Sequence, residues 1–376
     1  MKDNLTNHSL QRKRVAVAMS GGVDSSVAAA LLKENGYEVV GLTMHLWDYD
    51  QVGGNIFNET SCCSVETAND ARTVCQSLGI PHYVIDVREE FEKYVIANFS
   101  NEYLNGRTPN PCILCNSEIK WNVLRKKGLE LGYDFFSTGH YARIKLDETT
   151  GRYHLLRGLD NTKDQAYALW RLTQPQLSRT IFPLGELTKR EVRELAHSMK
   201  LKTKDKKESQ EICFVPDDDY ARFLKERFPE LKKRIDNGKI IDKDGHKLGS
   251  HKGYPFYTIG QRKGLGISVG KPIYVTEIDV ETNTIVVGDK SDLNTRGLVA
   301  SDTNWISIEK LDSPLEVTVK IRYNDYGKEA TIFPLNKNRV KVIFKDYHQA
   351  VTPGQSVVFY RGDEVVGGGV IDRKIE

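Results

Sequence analysis

The sequence predicts an α/β protein: a parallel-sheet domain with helices on both faces, then a small central β-rich domain and a C-terminal antiparallel β-barrel. Three observations carry this. Strand and helix patterns alternate from residue 14 to about residue 199, as they must when parallel strands are joined by helical crossovers. The stretch Ser20-Gly21-Gly22-Val23-Asp24-Ser25 lies between an apolar run, Val15 to Met19, and an alanine-rich helical pattern, Ser26 to Glu34. Beyond about residue 216 β-branched residues alternate with polar ones, and turn pairs recur at Asp244-Gly245, Asn324-Asp325 and Gly362-Asp363. The divisions expected are a flexible tail over 1–13, a nucleotide-handling domain over 14–215, the central domain over 216–295 and the barrel over 296–376.

Taken in order, Val15 to Met19 is the first strand and Ser26 to Glu34 the first helix, which Gly36 caps. Tyr37 to Thr43 reads as a second strand. A Gly-, Asn- and Asp-rich loop leads to helical periodicity over Ser64 to Leu78, and Gly79-Ile80-Pro81 breaks it before a third strand, His82 to Val87. A helix over Glu89 to Leu104, an irregular segment to Cys115, a helix from Ser117 to Leu131 and a strand over Asp134 to Thr138 follow. Thr188 N-caps an amphipathic helix that runs to Met199. In the β-rich part, Ile273 to Glu277 and Thr284 to Val287 form a hairpin turning near Thr282-Asn283. Short strands from Leu298 onward, about ten residues apart, suit a barrel or sandwich.

Composition excludes some functions. The chain has 376 residues, 39% hydrophobic and 28% charged, as an ordinary globular protein does. No apolar run reaches the roughly 20 residues that span a bilayer, so no membrane partner and a cytoplasmic location are expected. A net charge of +3 is a mild bias compatible with nucleic acid, sharpened locally by Lys200, Lys202, Lys204, Lys206 and Lys207 and by Lys232-Lys233-Arg234.

The glycine loop points to phosphate. Paired glycines let the backbone approach a bulky anion, and the first amides of a helix have no partner within it. The loop lacks the Gly-Lys-Ser/Thr ending of kinase and GTPase loops and the G-x-G-x-x-G of dinucleotide folds. It resembles the pyrophosphate loop of ATP-pyrophosphatases, which split ATP between its α and β phosphates. A bare strand-to-helix turn would need fewer donors. Ligands of parallel sheets sit beyond the C-terminal strand ends, so Met44-His45 and Gly139-His140-Tyr141-Ala142-Arg143 are expected at the same crevice.

Six cysteines in such a chain point to catalysis or metal before structural disulfides. Cys112 and Cys115 follow Thr108-Pro109-Asn110-Pro111 and precede a helix start, where a thiol has a lowered pKa. Cys213 comes about a hundred residues later, after a lysine-rich run. Cys115 and Cys213 could exchange sulfur; Cys112, Cys115 and Cys213 could hold three corners of an iron–sulfur cluster; or Cys62-Cys63 could complete a zinc site with Cys112 and Cys115. Buried inert thiols are the plainer reading for Cys62, Cys63 and Cys75.

Taken together with Leu114-Cys115-Asn116, Thr138-Gly139-His140-Tyr141, Lys163-Asp164-Gln165, Phe182 to Leu187, Ile212-Cys213-Phe214 and Thr258 to Gly266, these motifs resemble, nearly end to end, the bacterial tRNA 2-thiouridylases of the ATP-pyrophosphatase superfamily. The resemblance implies that ATP, with Mg2+, adenylates O2 of the wobble uridine and that a persulfide on Cys213 delivers sulfur to C2. Cys115 is the partner thiol that releases the sulfur by disulfide formation. It also implies that Ala18, Met19, Ser20, Gly21, Gly22, Val23, Asp24, Ser25, Met44 and Gly139 line the ATP site. Asn110, Pro111 and Cys112 face the target base, while His140, Lys163, Asp164, Gln165, Arg322, Tyr323 and Gln355 touch the tRNA. The implied partners are a tRNA anticodon stem-loop and a persulfide donor such as a cysteine desulfurase or sulfur relay protein. Many members carry Asp where this chain has Cys112, and with Cys112 the chain has the three-cysteine set of thiolases that use a 4Fe-4S cluster. Another ATP-pyrophosphatase, such as an amide-forming ligase, would need no reactive thiol.

Overall fold

Strands hydrophobic on both faces suit the inside of a parallel sheet covered by helices, and Val15, Ala16, Val17, Val40 and Leu42 are buried essentially completely. The computed structural model describes residues 13–47, 65–207, 212–215, 217–336 and 338–375. Its first sheet has five parallel strands in the order β3-β2-β1-β4-β7: β3 (His82–Asp86), β2 (Glu38–His45), β1 (Arg14–Ala18), β4 (Phe135–Ser137) and β7 (Thr180–Ile181). The crossovers are α1 (Val23–Glu34), α2 (Val65–Leu78), a helical run α3 over 88–104 and a second run α4 over 111–130, with α5 (Lys189–Ser198) after β7. Cys62 and Cys63 lie outside the described residues. Among the described residues no helix is long and apolar enough to cross a membrane.

Two features of α3 and α4 depart from the pattern read in the sequence. Each widens to π-helical turns, at Glu92–Ile96 in α3 and at Cys115–Leu124 in α4. The second helix also begins at Pro111, with Asn110 at its N-cap, and so takes in the segment read as irregular. The reason is proline's dual character: Pro111 disfavours a helix before it, yet its fixed φ and missing N–H suit the first helical position.

The central part carries a mixed four-stranded sheet, β10-β11-β8-β9, formed by β8 (Gly238–Asp242), β9 (Lys247–His251), β10 (Tyr274–Asp279) and β11 (Thr284–Gly288). The expected hairpin is β10–β11, antiparallel from Tyr274↔Gly288 to Asp279↔Thr284. One core joins this sheet to α3, uniting Phe91, Phe99, Phe223, Leu224, Ile240, Val275 and Val287.

The last part closes into a six-stranded antiparallel barrel: β12 (Asn294–Trp305), β15 (Arg339–Gln349), β14 (Lys328–Asn336), β13 (Leu315–Lys320), β16 (Ser356–Arg361) and β17 (Glu364–Ile375), with β17 returning to pair with β12. A hairpin from the first half, β5 (Ala142–Asp147) and β6 (Arg152–Arg157), adds to this sheet through Glu364↔Leu156 and Val365↔Leu155. Tyr167 Oη donates to Ser356 O at 2.8 Å and Trp170 Nε1 to Ser356 Oγ at 3.0 Å, so buried aromatics fix the barrel to the α/β domain.

Phe214 packs against Phe91, Phe99 and Phe223 at centroid separations of 5.7, 5.0 and 5.6 Å, in edge-to-face arrangements that favour aromatic contact. Phe214→Ala is expected to cost about 3–5 kcal/mol in urea unfolding. A loss below about 1 kcal/mol would show that the ring does not anchor this loop.

Candidate active site

The glycine loop leaves β1, the central strand, at the C-terminal edge of the sheet. Met19 N donates to Leu42 O at 2.8 Å, and Thr43 Oγ1 donates to Met19 O at 2.8 Å, which ties the loop to β2. Gly21 has φ +66°, and a Cβ there would lie 2.1 Å from Thr67 O in α2. Gly22 occupies the N-cap of α1 with no side chain capping it, leaving the first-turn amides to a ligand. Ser25 Oγ accepts from Ser20 N at 3.2 Å and Ser26 Oγ donates to Gly22 O at 2.7 Å, so the hydroxyls hold the loop in shape. Gly139, just beyond β4, packs directly on α1: a Cβ there would stand 2.7 Å from Asp24 C and from Ser25 N. The expected segments after β1 and β4 do meet.

The loop has no lysine of its own, and the fold supplies one from 165 residues away. Lys189 Nζ reaches both Asp24 carboxylate oxygens, at 2.7 and 2.8 Å, and Tyr141 Oη donates to Asp24 Oδ1 at 2.8 Å. Lys189 opens α5, where the Thr188 and Glu191 capping box fixes the helix start and Asp160 Oδ2 accepts from Lys189 N at 3.0 Å. In the sequence this helix shows only its amphipathic pattern and its Thr188 N-cap. The available signal was electrostatic: an acidic residue in an anion-binding loop requires a cation nearby.

Cys112 and Cys115 share one face of α4, a turn apart. Because the helix starts at Pro111, exposed Cys112 lies in its first turn, whereas half-buried Cys115 begins the π-helical stretch. Cys213 lies on a tight turn, Val215 N donating to Ile212 O at 2.9 Å, and Phe214 pins that turn in the aromatic core. Cys115 and Cys213, both half-buried, pack against the same apolar core. Cys75 is elsewhere, wholly buried on α2, and desolvation pushes its thiol up to about 12.

Hydrogen bonds connect the thiol helix to the glycine loop. Asn116 Nδ2 donates to Ala168 O at 3.0 Å, Ala168 N to Gln165 O at 2.9 Å, and Tyr141 N to Gln165 Oε1 at 3.0 Å; Tyr141 then holds Asp24. His140 is buried between Trp121 and Phe182, with Nδ1 2.6 Å from Thr138 Oγ1. Burial, reinforced by Lys120, keeps it well below the usual histidine range. Met44 is half-buried and packs on two cores.

The barrel reaches the thiol helix from the other side. Thr108 N donates to Pro353 O at 2.9 Å, and Gln355 Nε2 donates to Thr108 O and Pro109 O at 3.1 and 2.9 Å. Thr108 Oγ1 meets Thr258 Oγ1 of the central part at 3.1 Å. The two N–H groups of Gln355 therefore hold the extended segment leading into Asn110. Between them lies a cavity of about 180 Å³, with Asn98, Glu102 and Asn110 on one wall and Arg171, Asp302 and Ser356 on the other. Arg322 and Tyr323 are exposed on the barrel, Tyr323 edge-on to Tyr167 at 6.2 Å, and half-buried Lys163, Asp164 and Gln165 lie in the segment that approaches Tyr167.

A family model described as a tRNA methyl transferase HUP domain matches residues 13–217, one described as a tRNA methyl transferase PRC-barrel domain matches 221–289, and one described as an aminomethyltransferase beta-barrel domain matches 295–371. The tRNA-specific 2-thiouridylase MnmA of Carboxydothermus hydrogenoformans is 53% identical over 365 residues, covering 97% of this chain and 99% of its own. That of Salinibacter ruber is 50% identical over 362 residues, covering 96% and 94%. Among solved structures, a 4-thiouridine synthetase–RNA complex with bound ATP covers 58% of this chain and 51% of its own at 16% identity and a TM-score of 0.37, a likeness too loose to bear on the site.

Two outcomes test this geometry. Gly21→Ala should weaken nucleotide binding about tenfold or more by calorimetry, because left-handed strain and the Thr67 contact both oppose the loop conformation; unchanged affinity would contradict the loop's role. In reduced protein at pH 8, iodoacetamide should modify Cys112 and spare Cys75, whose raised pKa leaves about one thiolate in 10⁴. Peptide mapping that finds Cys75 alkylated in folded protein would refute its burial.

Proposed function

The chain belongs to the tRNA-specific 2-thiouridylase family, and from that premise we propose that it converts the wobble uridine of tRNA to 2-thiouridine, using ATP and a cysteine persulfide. The observation that carries this reading is the hydrogen-bonded path from Asp24 in the glycine loop through Tyr141, Gln165 and Ala168 to Asn116, next to Cys115. One site would activate oxygen and the other deliver sulfur.

The chemistry follows from what each group can do. The C2 carbonyl of uridine is amide-like and a poor electrophile. Attack of its O2 on the α-phosphorus of ATP expels pyrophosphate and makes that oxygen a good leaving group. Uncapped amides at the start of α1 and the charge of Lys189 suit the departing phosphates. Asp24 is the loop carboxylate that would hold Mg2+, which when bound neutralises phosphate charge; Lys189, paired with that carboxylate, would then turn to phosphate. Ala18 to Ser25, Met44 and Gly139 make up this ATP site.

In the second half, the terminal sulfur of a Cys213 persulfide attacks C2. Cys115 thiolate then attacks Cys213 Sγ; the S–S bond breaks toward the uridine sulfur, AMP leaves with the C–O electron pair, and a Cys115–Cys213 disulfide remains for an external thiol to reduce. Asn110, Pro111 and Cys112, at the start of α4, face the base. The uridine lies in a single-stranded loop, so turning it out costs only a few kcal/mol. Lys163, Asp164, Gln165, Arg322 and Tyr323 lie where they would touch the tRNA, with His140 and Gln355 behind them as supports. The sulfur comes from a persulfide-carrying donor protein.

A thiol pair beside an ATP loop supports sulfur transfer over the methyl transfer in the descriptions of two family models, since methyl transfer needs no pyrophosphate loop. Persulfide chemistry is favoured over a 4Fe-4S cluster because Cys112, its third ligand, is exposed while Cys115 and Cys213 sit against the core.

Cys115→Ser and Cys213→Ser should each abolish thiolation and leave tRNA-stimulated ATP/pyrophosphate exchange intact; Cys213→Ser that still thiolates would overturn the persulfide assignment. Anaerobically purified protein should be active and free of iron and acid-labile sulfide. Stoichiometric iron whose removal abolishes activity would establish the cluster instead.

A further inference from the structure

Two half-buried cations at the seam between the barrel and the α/β domain make no ion pair, and the acid that acts on both, Asp164, is already hydrogen-bonded to backbone. Arg157, at the end of β6, lays its guanidinium over the Tyr360 ring with Cζ 4.2 Å from the centroid, and its Nε is buried with no hydrogen-bond partner. Lys320, at the end of β13, holds Nζ 6.0 Å from the centroid of Tyr167. Tyr360 Oη is likewise buried and unpartnered. Among the described residues neither cation lies within ion-pairing distance of a carboxylate.

Both cations lie against the same barrel face. β13 and β16 pair with Thr318 opposite Tyr360 and Lys320 opposite Val358, so Lys320 and Tyr360 share a barrel face, and the segment carrying Tyr167 covers it. The nearest acid is Asp164, whose Oδ1 already accepts from Gly158 N at 3.1 Å and Ala166 N at 3.0 Å. Burial lowers the Lys320 ammonium's pKa most, Arg157 lowers it further by repulsion, and Asp164 and Asp325 offset only part of this. Orphaned buried donors and unpaired half-buried cations are costly, and folded proteins keep few of them without an acceptor that completes the site. An added acceptor that takes hydrogen bonds from a planar guanidinium and from an ammonium would complete this set, which is the chemistry of a phosphate.

We propose that Arg157, Lys320 and Tyr360 form a phosphate-binding cleft that grips one backbone phosphodiester of the RNA where it crosses from the α/β domain to the barrel. This rests on the reading of the chain as a tRNA-modifying enzyme and adds residues to it that no sequence motif singled out. Lys163, Arg322 and Tyr323 flank the cleft in sequence on its two sides, so a strand lying in it would meet them.

The test is equilibrium binding of a labelled anticodon stem-loop RNA to the full-length protein by anisotropy over a series of potassium chloride concentrations. Arg157→Gln and Lys320→Gln should each weaken binding about tenfold and make the log–log salt dependence shallower by about one. Arg157→Lys should keep the slope. Tyr360→Phe, which removes only a hydroxyl and preserves packing, should weaken binding a few-fold at unchanged slope. Lys345→Gln, whose exposed ammonium is paired with Glu329, should alter neither. Wild-type slope and affinity in both glutamine variants, or an equal effect of Lys345→Gln, would overturn the cleft while leaving the enzyme assignment standing. A wild-type protein that binds no RNA would overturn both.

Discussion

The contact on which the site depends is the one between Gly139 and the first turn of α1. No side chain fits there, so the end of β4 lies flush against the backbone of Asp24 and Ser25. That closeness carries His140 and Tyr141 to the glycine loop and lets the Tyr141 hydroxyl reach Asp24. It also turns the chain directly into β5 and β6, which join the barrel. Anion loop, thiol helix and barrel are thus linked within a few residues of one glycine.

The thiol helix α4 is held from both sides. Ile113, Trp121 and Leu124 face the core shared with β4 and the barrel, whereas Leu114, Cys115 and Ile119 face the core shared with α3 and the central sheet. A helix gripped by two cores can keep one thiol at their boundary, and π-helical turns beginning at Cys115 shift the residues after it around the axis. Gln355 and Pro353 of the barrel and Thr258 of the central part all bond to Thr108 and Pro109 just before this helix. All three parts of the protein therefore set where Asn110 and Cys112 stand.

Much of this was legible in the sequence, for local reasons. Strands buried on both faces leave apolar runs, glycines mark the one turn that must approach an anion, and the β10–β11 hairpin shows in its alternation. Long-range pairing was hidden. Nothing in β5 and β6 announces that they extend a sheet whose other strands begin some 140 residues later, because the pairing is set by β17. Lys189 stands in an amphipathic helix 165 residues from the glycine loop, and only the folded chain brings it to Asp24. Arg157 and Lys320 carried no motif, since an unpaired cation is recognised by what surrounds it. The start of α4 was misread because a proline that forbids helix before it also begins one.

The central claim is that sulfur leaves Cys213 and that Cys115 closes the bond behind it. The most direct measurement is a single turnover of persulfide-loaded protein with ATP and tRNA in the absence of reductant, followed by mass spectrometry of the peptides and of the RNA. 2-Thiouridine should form in step with a Cys115–Cys213 disulfide, one for one. Thiolated RNA formed while both cysteines remain reduced would contradict it.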